Sequence, residues 1–299
     1  MSRRDAEDLE AAPDLIAEGA RVLSAADIEG ARFEAKIILA HILATKPSRV
    51  VINADPLAPD SISRFRELVS KRASRVPLQY VIGTHDFMGL MLACRPGVFV
   101  PRPETEVLVE TVLGSLRPGR DRPTVADVGC GSGAIAVAVA HHLPGAAVHA
   151  VDISADAVRL TAENARRLGL AQSVRVYEGH LLDPLVAAGV ADELDAIVAN
   201  LPYIPSGEID GLAPEISKHE PREALDGGPD GLMYFRKLVS QIEALPPRRR
   251  LLALEVGLGQ ARQVARLLQS GLECSAIEMR RDHGGIERIV LGFIDSQSH

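Results

Sequence analysis

The sequence predicts an α/β fold in which a mostly parallel sheet, flanked by helices and closed by an antiparallel hairpin, follows a small N-terminal helical domain. Three observations carry that prediction. Beyond Arg122, short apolar runs alternate with segments of helical length, as parallel strands joined by crossover helices require. The first of these runs leads straight into a glycine-rich turn, Asp127-Val-Gly-Cys-Gly-Ser-Gly133. Residues from about Pro13 to Arg75 instead repeat their apolar positions at helical spacing.

Length and composition bound the function. A chain of 299 residues exceeds the usual single core, so one large domain and a smaller one are expected. With 46% hydrophobic and 24% charged residues it fits an ordinary globular protein, and no apolar run reaches membrane-spanning length. Met1 to Glu10 sets acids behind Arg3 and Arg4 rather than an apolar stretch, so it is not a secretory signal, and a cytoplasmic protein is expected. Cys94, Cys130 and Cys274 are odd in number and widely spaced, which argues for reduced thiols and against a disulfide framework or a metal site. The net charge of −7 works against nucleic-acid binding, which draws its affinity from phosphate neutralisation. An aromatic content of 3%, without tryptophan, also leaves few stacking platforms. The expectation is a monomer with a protein partner, no membrane and no direct nucleic-acid partner.

Residues 1–78 are assigned to the helical domain. Ala31 to Ala44, carrying Phe33, Ile37, Ile38, Leu39, Ile42 and Leu43, is apolar nearly all round and predicts a buried helix. Ile62, Phe65, Leu68 and Val69 make the narrower stripe of an amphipathic one. Arg64, Arg66, Lys71, Arg72 and Arg75 crowd that second helix, and a solvated surface is favoured over a docking face for an acidic or RNA-bearing partner. Residues 79–101 change to short β-prone pieces, Tyr80 to Ile82 and Val98 to Val100, parted by Gly83, Gly89, Pro96 and Gly97, and predict a hairpin connector.

Residues 102–299 are assigned to the large domain. Pro101 to Glu106 opens a helix with proline and acids in its first turn. Strands are predicted over Thr124 to Val128, Ala147 to Val151, Val174 to Tyr177, Leu194 to Ala199 and Leu251 to Glu255, with helices between them. Two last runs, Cys274 to Glu278 and Ile286 to Leu291, lie too close for a crossover helix and predict the antiparallel closing hairpin.

Gly129, Gly131 and Gly133, with Cys130 and Ser132 between them, let the turn after the first strand approach a ligand, while the next helix offers unpaired amides. Gly129-x-Gly131-x-x-Ala134 also satisfies the loose dinucleotide pattern, so a nicotinamide cofactor stands as an alternative at this point. Cys130 reads as a small residue tolerated in the turn rather than a nucleophile. Asp152 ends the second strand about 20 residues on, where a carboxylate grips a ribose diol, and strand-end position favours that role over a helix cap. A later tetrapeptide separates the cofactors. Asn200-Leu-Pro-Tyr203 sets an amide, a carbonyl held ahead of proline, and an aromatic ring at the C-terminal edge of the run Ala196 to Ala199. Hydride transfer has no use for that set, whereas methyl transfer to a planar nitrogen does.

Together the two motifs resemble class I S-adenosylmethionine-dependent methyltransferases, and Asn200-Leu-Pro-Tyr203 resembles the Asn-Pro-Pro-Tyr signature of amino-group methylators. Over nearly its whole length the chain is similar to the HemK/PrmC family of release-factor glutamine methyltransferases. The residues that carry the likeness are Pro77-Leu-Gln-Tyr80, Pro96-Gly97, Pro101 to Glu106, Glu220-Pro221, Ala224-Leu225, Gly227-Gly228, Asp230-Gly-Leu232, Glu255-Val-Gly257, Gln260 and Asp282 through Gly292. The resemblance implies a Rossmann-like class I methyltransferase sheet, S-adenosyl-L-methionine as donor, and N5-methylation of the Gly-Gly-Gln glutamine of peptide chain release factors, with the helical domain helping to dock the factor.

It further implies that Gly129, Cys130, Gly131, Ser132 and Gly133 hold the methionine end of the cofactor, Asp152 its ribose, and His180 the edge of its adenine. Gly179 departs from the acid usual before that histidine, which leaves capping of the next helix as another role for His180. Asn200 is expected to serve both cofactor and substrate, its side-chain oxygen and the Leu201 carbonyl accepting the two amide protons. Tyr203 would lie against the amide plane and Pro202 stiffen the loop, so Asn200, Leu201, Pro202 and Tyr203 form the expected catalytic and substrate-binding set. A carboxamide nitrogen is a weak nucleophile, and positioning alone can supply about 7–11 kcal/mol in favourable cases. Leu201 stands where the family has proline; it keeps the carbonyl but adds an N–H and frees its own φ, so a working but slower enzyme is expected. Glu220 and Glu255 match family positions and are expected to organise the substrate loop or strand end, and Asp282 and His283 the final turn. Two other functions compete: an adenine-N6 or other nucleic-acid amino methyltransferase using the same tetrapeptide, and a cofactor-binding regulator disabled by Leu201.

Overall fold

A computed structural model describes residues 11–50, 56–116 and 122–295; Met1 to Glu10, judged above not to be a secretory signal, lies outside the described residues. The chain divides into two compact units, one of Met1–Gly83 with Ala213–His219, the other of Thr84–Leu212 with Glu220–His299. In chain order the elements are α1 (Ala12–Ala25), α2 (Ala31–Ile42), α3 (Pro47–Val50), α4 (Pro59–Ala73), α5 (Leu78–Ile82), β1 (Thr84–Phe87), β2 (Leu90–Ala93), α6 (Pro103–Leu116), β3 (Thr124–Val128), α7 (Ala134–His142), β4 (Ala147–Asp152) and α8 (Ala155–Arg167). They continue as β5 (Val174–Glu178), α9 (Asp183–Ala187), β6 (Ala196–Ala199), α10 (Pro214–Ser217), α11 (Met233–Glu243), β7 (Arg250–Glu255), α12 (Ala261–Gly271), β8 (Cys274–Arg281) and β9 (Glu287–Ile294). No helix among the described residues is long and apolar enough to cross a membrane.

The first unit packs α1, α2 and α4 around Leu15, Ile16, Leu23, Ile38, Leu39, Phe65 and Leu68. Proline in the first turn starts both α1 and α4, where its missing N–H costs nothing. The all-round burial expected of α2 does not hold: Phe33 is 64% exposed, because only one side of the helix has neighbours to pack against. The basic crowd on α4 is not simply solvated either. Arg72 is buried and bridges Glu34 at 2.6 Å and Glu215 of α10 at 2.9 Å, while Arg75 meets Glu215 at 2.7 Å and Arg66 meets Glu18 at 2.8 Å.

The second unit is built on a seven-stranded sheet of order β5-β4-β3-β6-β7-β9-β8. All neighbours are parallel except β9, which runs antiparallel to both β7 and β8. Alternate residues of a strand face opposite sides. Val125, Val148 and Val198 join one core with α6 and α7, and Ala126, Ile197 and Leu252 join the other with α11 and α12. Both faces are covered, as a parallel sheet requires, and each buried Val or Leu contributes roughly 1.5–3 kcal/mol. Strand order reverses at β3, which lies between β4 and β6, so a crevice opens beyond the C-terminal ends of these strands.

The connector differs from its prediction. Tyr80 to Ile82 belongs to α5, which ends on Gly83 at φ 73°, and Val98 to Val100 forms no strand. The hairpin is β1 with β2, turning at Met88 and Gly89 between the paired Phe87 and Leu90. Val81 favours strands locally, but Pro77 starts a helix and Val81 buries against the helical core, so tertiary packing overrides a five-residue signal.

Candidate active site

Beyond β3 the chain turns through Gly129, Gly131 and Gly133 at φ 78°, 56° and 81°, a backbone that side chains resist, and enters α7. Asp127 anchors this turn from below: it is fully buried, and its Oδ2 accepts the Ala136 N–H at 2.9 Å. Burial pushes its carboxyl up to about 7. A Cβ on Gly133 would sit 2.8 Å from Thr161 Cγ2, whereas one on Gly131 would meet no protein atom within 4 Å although Gly131 lines the crevice. The first glycine allows close packing; the second leaves the crevice open beside the turn. Helix α8 holds the loop, with the Thr161 hydroxyl donating to the Gly131 carbonyl at 3.0 Å and the Asn164 amide to that of Ser132 at 2.9 Å.

Asp152, at the end of β4, accepts the Gly131 N–H at 2.8 Å and the Ser154 N–H at 2.9 Å, while Ser154 itself caps α8. Burial raises the Asp152 carboxyl, and these amides work in the opposite direction. Cys130 rests with its Sγ 3.4 Å from the Thr161 hydroxyl, and burial holds its thiol well above the ordinary range, so it is no nucleophile.

His180 caps no helix through its side chain; α9 begins after Leu182, and the imidazole lines the crevice. Its ring lies 6.3 Å from that of Tyr234 on α11, and Ile153 and Leu181 line the same end. Gly179 adopts φ 153°, and a Cβ there would fall 2.4 Å from Pro184 Cγ. The acid usual at that position has no room here.

The tetrapeptide follows β6 and lines the same crevice as the glycine loop. Asn200 Nδ2 donates to the Thr105 hydroxyl in the first turn of α6 at 3.1 Å, which leaves Oδ1 as its other end. Leu201 buries its side chain in the core, its Cδ2 lying 3.2 Å from where a Cβ on Gly129 would be. The loop is fastened on its far side. The Ile204 N–H donates to the Leu225 carbonyl at 3.0 Å, the Gly227 N–H to that of Ile204 at 2.8 Å, and Gln260 Nε2 to that of Tyr203 at 2.8 Å. Cβ atoms on Gly227 and Gly231 would come within 2.8 Å of the Pro202 oxygen and 2.2 Å of the Tyr203 oxygen. Gly227, Gly231 and Gln260 therefore seat the backbone of this loop. Burial pushes the Tyr203 phenol up to about 12, with Glu255 adding to it, so the ring presents a neutral face.

Glu220 accepts from Arg102 at 2.6 Å, and that guanidinium lies 4.7 Å over the Phe99 ring, tying two crevice-lining loops together. Asp282 accepts the Ile286 N–H in the β8–β9 turn, as expected of it. Among the described residues no group of three or more His, Cys, Asp or Glu could hold a metal ion. Thr105, Ile153, Tyr234, Thr161 and Asn164 escaped the sequence reading as site residues. Thr105 stood in view inside Pro101 to Glu106; the others sit on helices or strand ends whose facing only the fold reveals.

Comparison with known proteins agrees with this geometry. Residues 14–83 match the PrmC N-terminal domain, and residues 90–226 match the methyltransferase small domain. The release factor glutamine methyltransferase of Moorella thermoacetica is 40% identical over 279 residues, covering 93% of this chain and 96% of its own. That of Geobacter sulfurreducens is 40% identical over 270 residues, covering 89% and 91%. The solved hMettl16 catalytic domain in complex with MAT2A 3′UTR hairpin 6 covers 78% of this chain and 84% of its own with a TM-score of 0.55, and at 14% identity it attests the fold alone.

Proposed function

The chain belongs to the release factor glutamine methyltransferase family, and on that footing we propose that it methylates the side-chain nitrogen, N5, of the Gly-Gly-Gln glutamine of a translation release factor. S-adenosylmethionine supplies the electrophilic methyl group. The crevice suits it: the open Cβ position of Gly131, the carboxylate of Asp152 at a strand end, and the flat apolar edge of Ile153, Leu181, His180 and Tyr234 match an amino-acid end, a ribose and a planar base in that order. In this reading the residues from Gly129 to Gly133 cradle the methionine end, Asp152 holds the ribose diol, and His180 flanks the adenine.

One observation carries the substrate side. Asn200 is tied back to Thr105 through its NH2 end, so its oxygen is free to accept. That oxygen and the Leu201 carbonyl accept the two amide protons of the glutamine, Tyr203 lies against the amide plane, and the nitrogen is aimed toward the glycine loop. As the nitrogen gains the methyl group it gives up one of these amide protons, past the carbonyl acceptors, to water, and orientation of so weak a nucleophile can supply about 7–11 kcal/mol of the barrier. The helical unit takes the docking role, and the enzyme works as a cytoplasmic monomer without a nucleic-acid partner.

Incubation with methyl-labelled cofactor and either a release factor or duplex and RNA substrates tests this. Label on the glutamine of the Gly-Gly-Gln peptide, read by mass spectrometry, is expected. Label on nucleic acid and not on the factor overturns the proposal, and label on neither supports a regulator.

A further inference from the structure

We propose that Glu255 is a positioning residue for this methyl transfer, fixing, with the Thr105 hydroxyl beside it, which end of the Asn200 carboxamide faces the crevice. The inference rests on the methyltransferase reading above. Strands β6 and β7 are paired in parallel with Ala199 opposite Leu254, so the next residues, Asn200 and Glu255, leave the sheet side by side. Glu255 is 1% exposed and is not among the residues that line the crevice, so it acts through a neighbour and not on the substrate. Its Oε2 has no hydrogen-bond partner, which marks a carboxylate placed for something other than packing.

The groups around it define a directed chain. Thr105 Oγ1 accepts from Asn200 Nδ2 at 3.1 Å, and both side chains stabilise the charged form of Glu255. Thr105 and Asn200 both turn a donor toward the Glu255 carboxylate, and a carboxylate only accepts, so Asn200 presents its NH2 to Glu255 and Thr105 and its oxygen to the crevice. Protonation reverses the sense. A neutral carboxyl donates in its turn, and a carboxamide whose oxygen is drawn to that proton presents its NH2 to the glutamine it should be accepting from. Burial pushes the Glu255 carboxyl up to about 7, and the other charged or titratable groups facing it are Glu104 on α6, Tyr203 on the loop and Arg288 on β9, the last paired with Asp282 at 3.4 Å.

The test is kcat against pH, from about 5.5 to 8.5, at saturating cofactor and release factor. Asp127, whose carboxyl burial also pushes up to about 7, stays in place beneath the cofactor loop in every variant below, so a change that follows Glu255 is not its doing. Wild-type kcat should rise through about pH 7. Glu255→Gln should lose that rise and be about tenfold slower at high pH, the effect of one lost charge-assisted orienting hydrogen bond, with cofactor Kd unchanged by calorimetry. Thr105→Val should blunt the rise, and Thr105→Ser should keep it, which guards against a Glu255 variant that fails to fold. A wild-type kcat that stays flat over this range, or a rise that survives in Glu255→Gln, overturns the positioning role while leaving the enzyme's identity intact. A wild-type chain that methylates no release factor at any pH overturns both.

Discussion

In the proposed reading Asn200 serves both cofactor and substrate, and its substitution separates the two roles. Asn200→Ala removes a lone-pair acceptor from the substrate side while the glycine loop and Asp152 keep their places. Transfer to a release factor should fall by at least about 100-fold, the scale seen when one preorganised polar group is lost from a reacting centre. Cofactor Kd, measured by calorimetry, should change only a few-fold; a collapse of cofactor binding would assign Asn200 to the donor instead. Leu201 was legible as a carbonyl in place of proline, but no local pattern signalled that its side chain fills the core beside Gly129. Leu201→Pro is therefore expected to keep or raise turnover, because the carbonyl stays and φ is locked, and at the same time to lower Tm by several degrees through the lost packing. A large loss of turnover at unchanged Tm would mean that leucine shapes the site itself.

At the scale of elements the glycine turn and α8 work as one piece. Gly133 combines a left-handed φ of 81° with a Cβ position 2.8 Å from Thr161, so Gly133→Ala must strain the turn and push on the helix whose Thr161 and Asn164 hold the loop. A loss of about 1–3 kcal/mol of stability is expected, with cofactor affinity down about tenfold or more, read by thermal melts and calorimetry. Unchanged affinity would show that α8 does not set the loop. The motif that starts this piece could be seen in the sequence because glycine at close spacing after an apolar strand has few other uses. The connector could not: Tyr80 to Ile82 carries strand-prone side chains, and its helix exists only because Pro77 and the helical core are there to begin and bury it.

On the scale of the whole molecule, residues 213–219 leave the α/β unit and belong to the helical one. Their attachment there is ionic. Arg72, buried, joins Glu34 and Glu215, and Arg75 joins Glu215 again; burial opposes the Arg72 charge, but the two carboxylates outweigh it. Arg72→Met should cost about 3–5 kcal/mol, chiefly by leaving Glu34 without its partner, and should open Lys218 to trypsin. Cofactor affinity should survive, since every crevice-lining residue belongs to the other unit. Unaltered denaturation and proteolysis would show the network to be ornamental.

By itself the sequence determined the class of sheet, its antiparallel close, the glycine turn, the Asp152 carboxylate and the tetrapeptide, because each depends on local chemistry: period, turn geometry, or a residue type with few substitutes. Only the tertiary structure decided which end of Asn200 faces inward, what Glu255, Thr105 and Tyr234 are near, and why Gly227 and Gly231 have no side chain. Those depend on segments far apart in the chain meeting within a few ångströms, and neither spacing nor composition records such meetings.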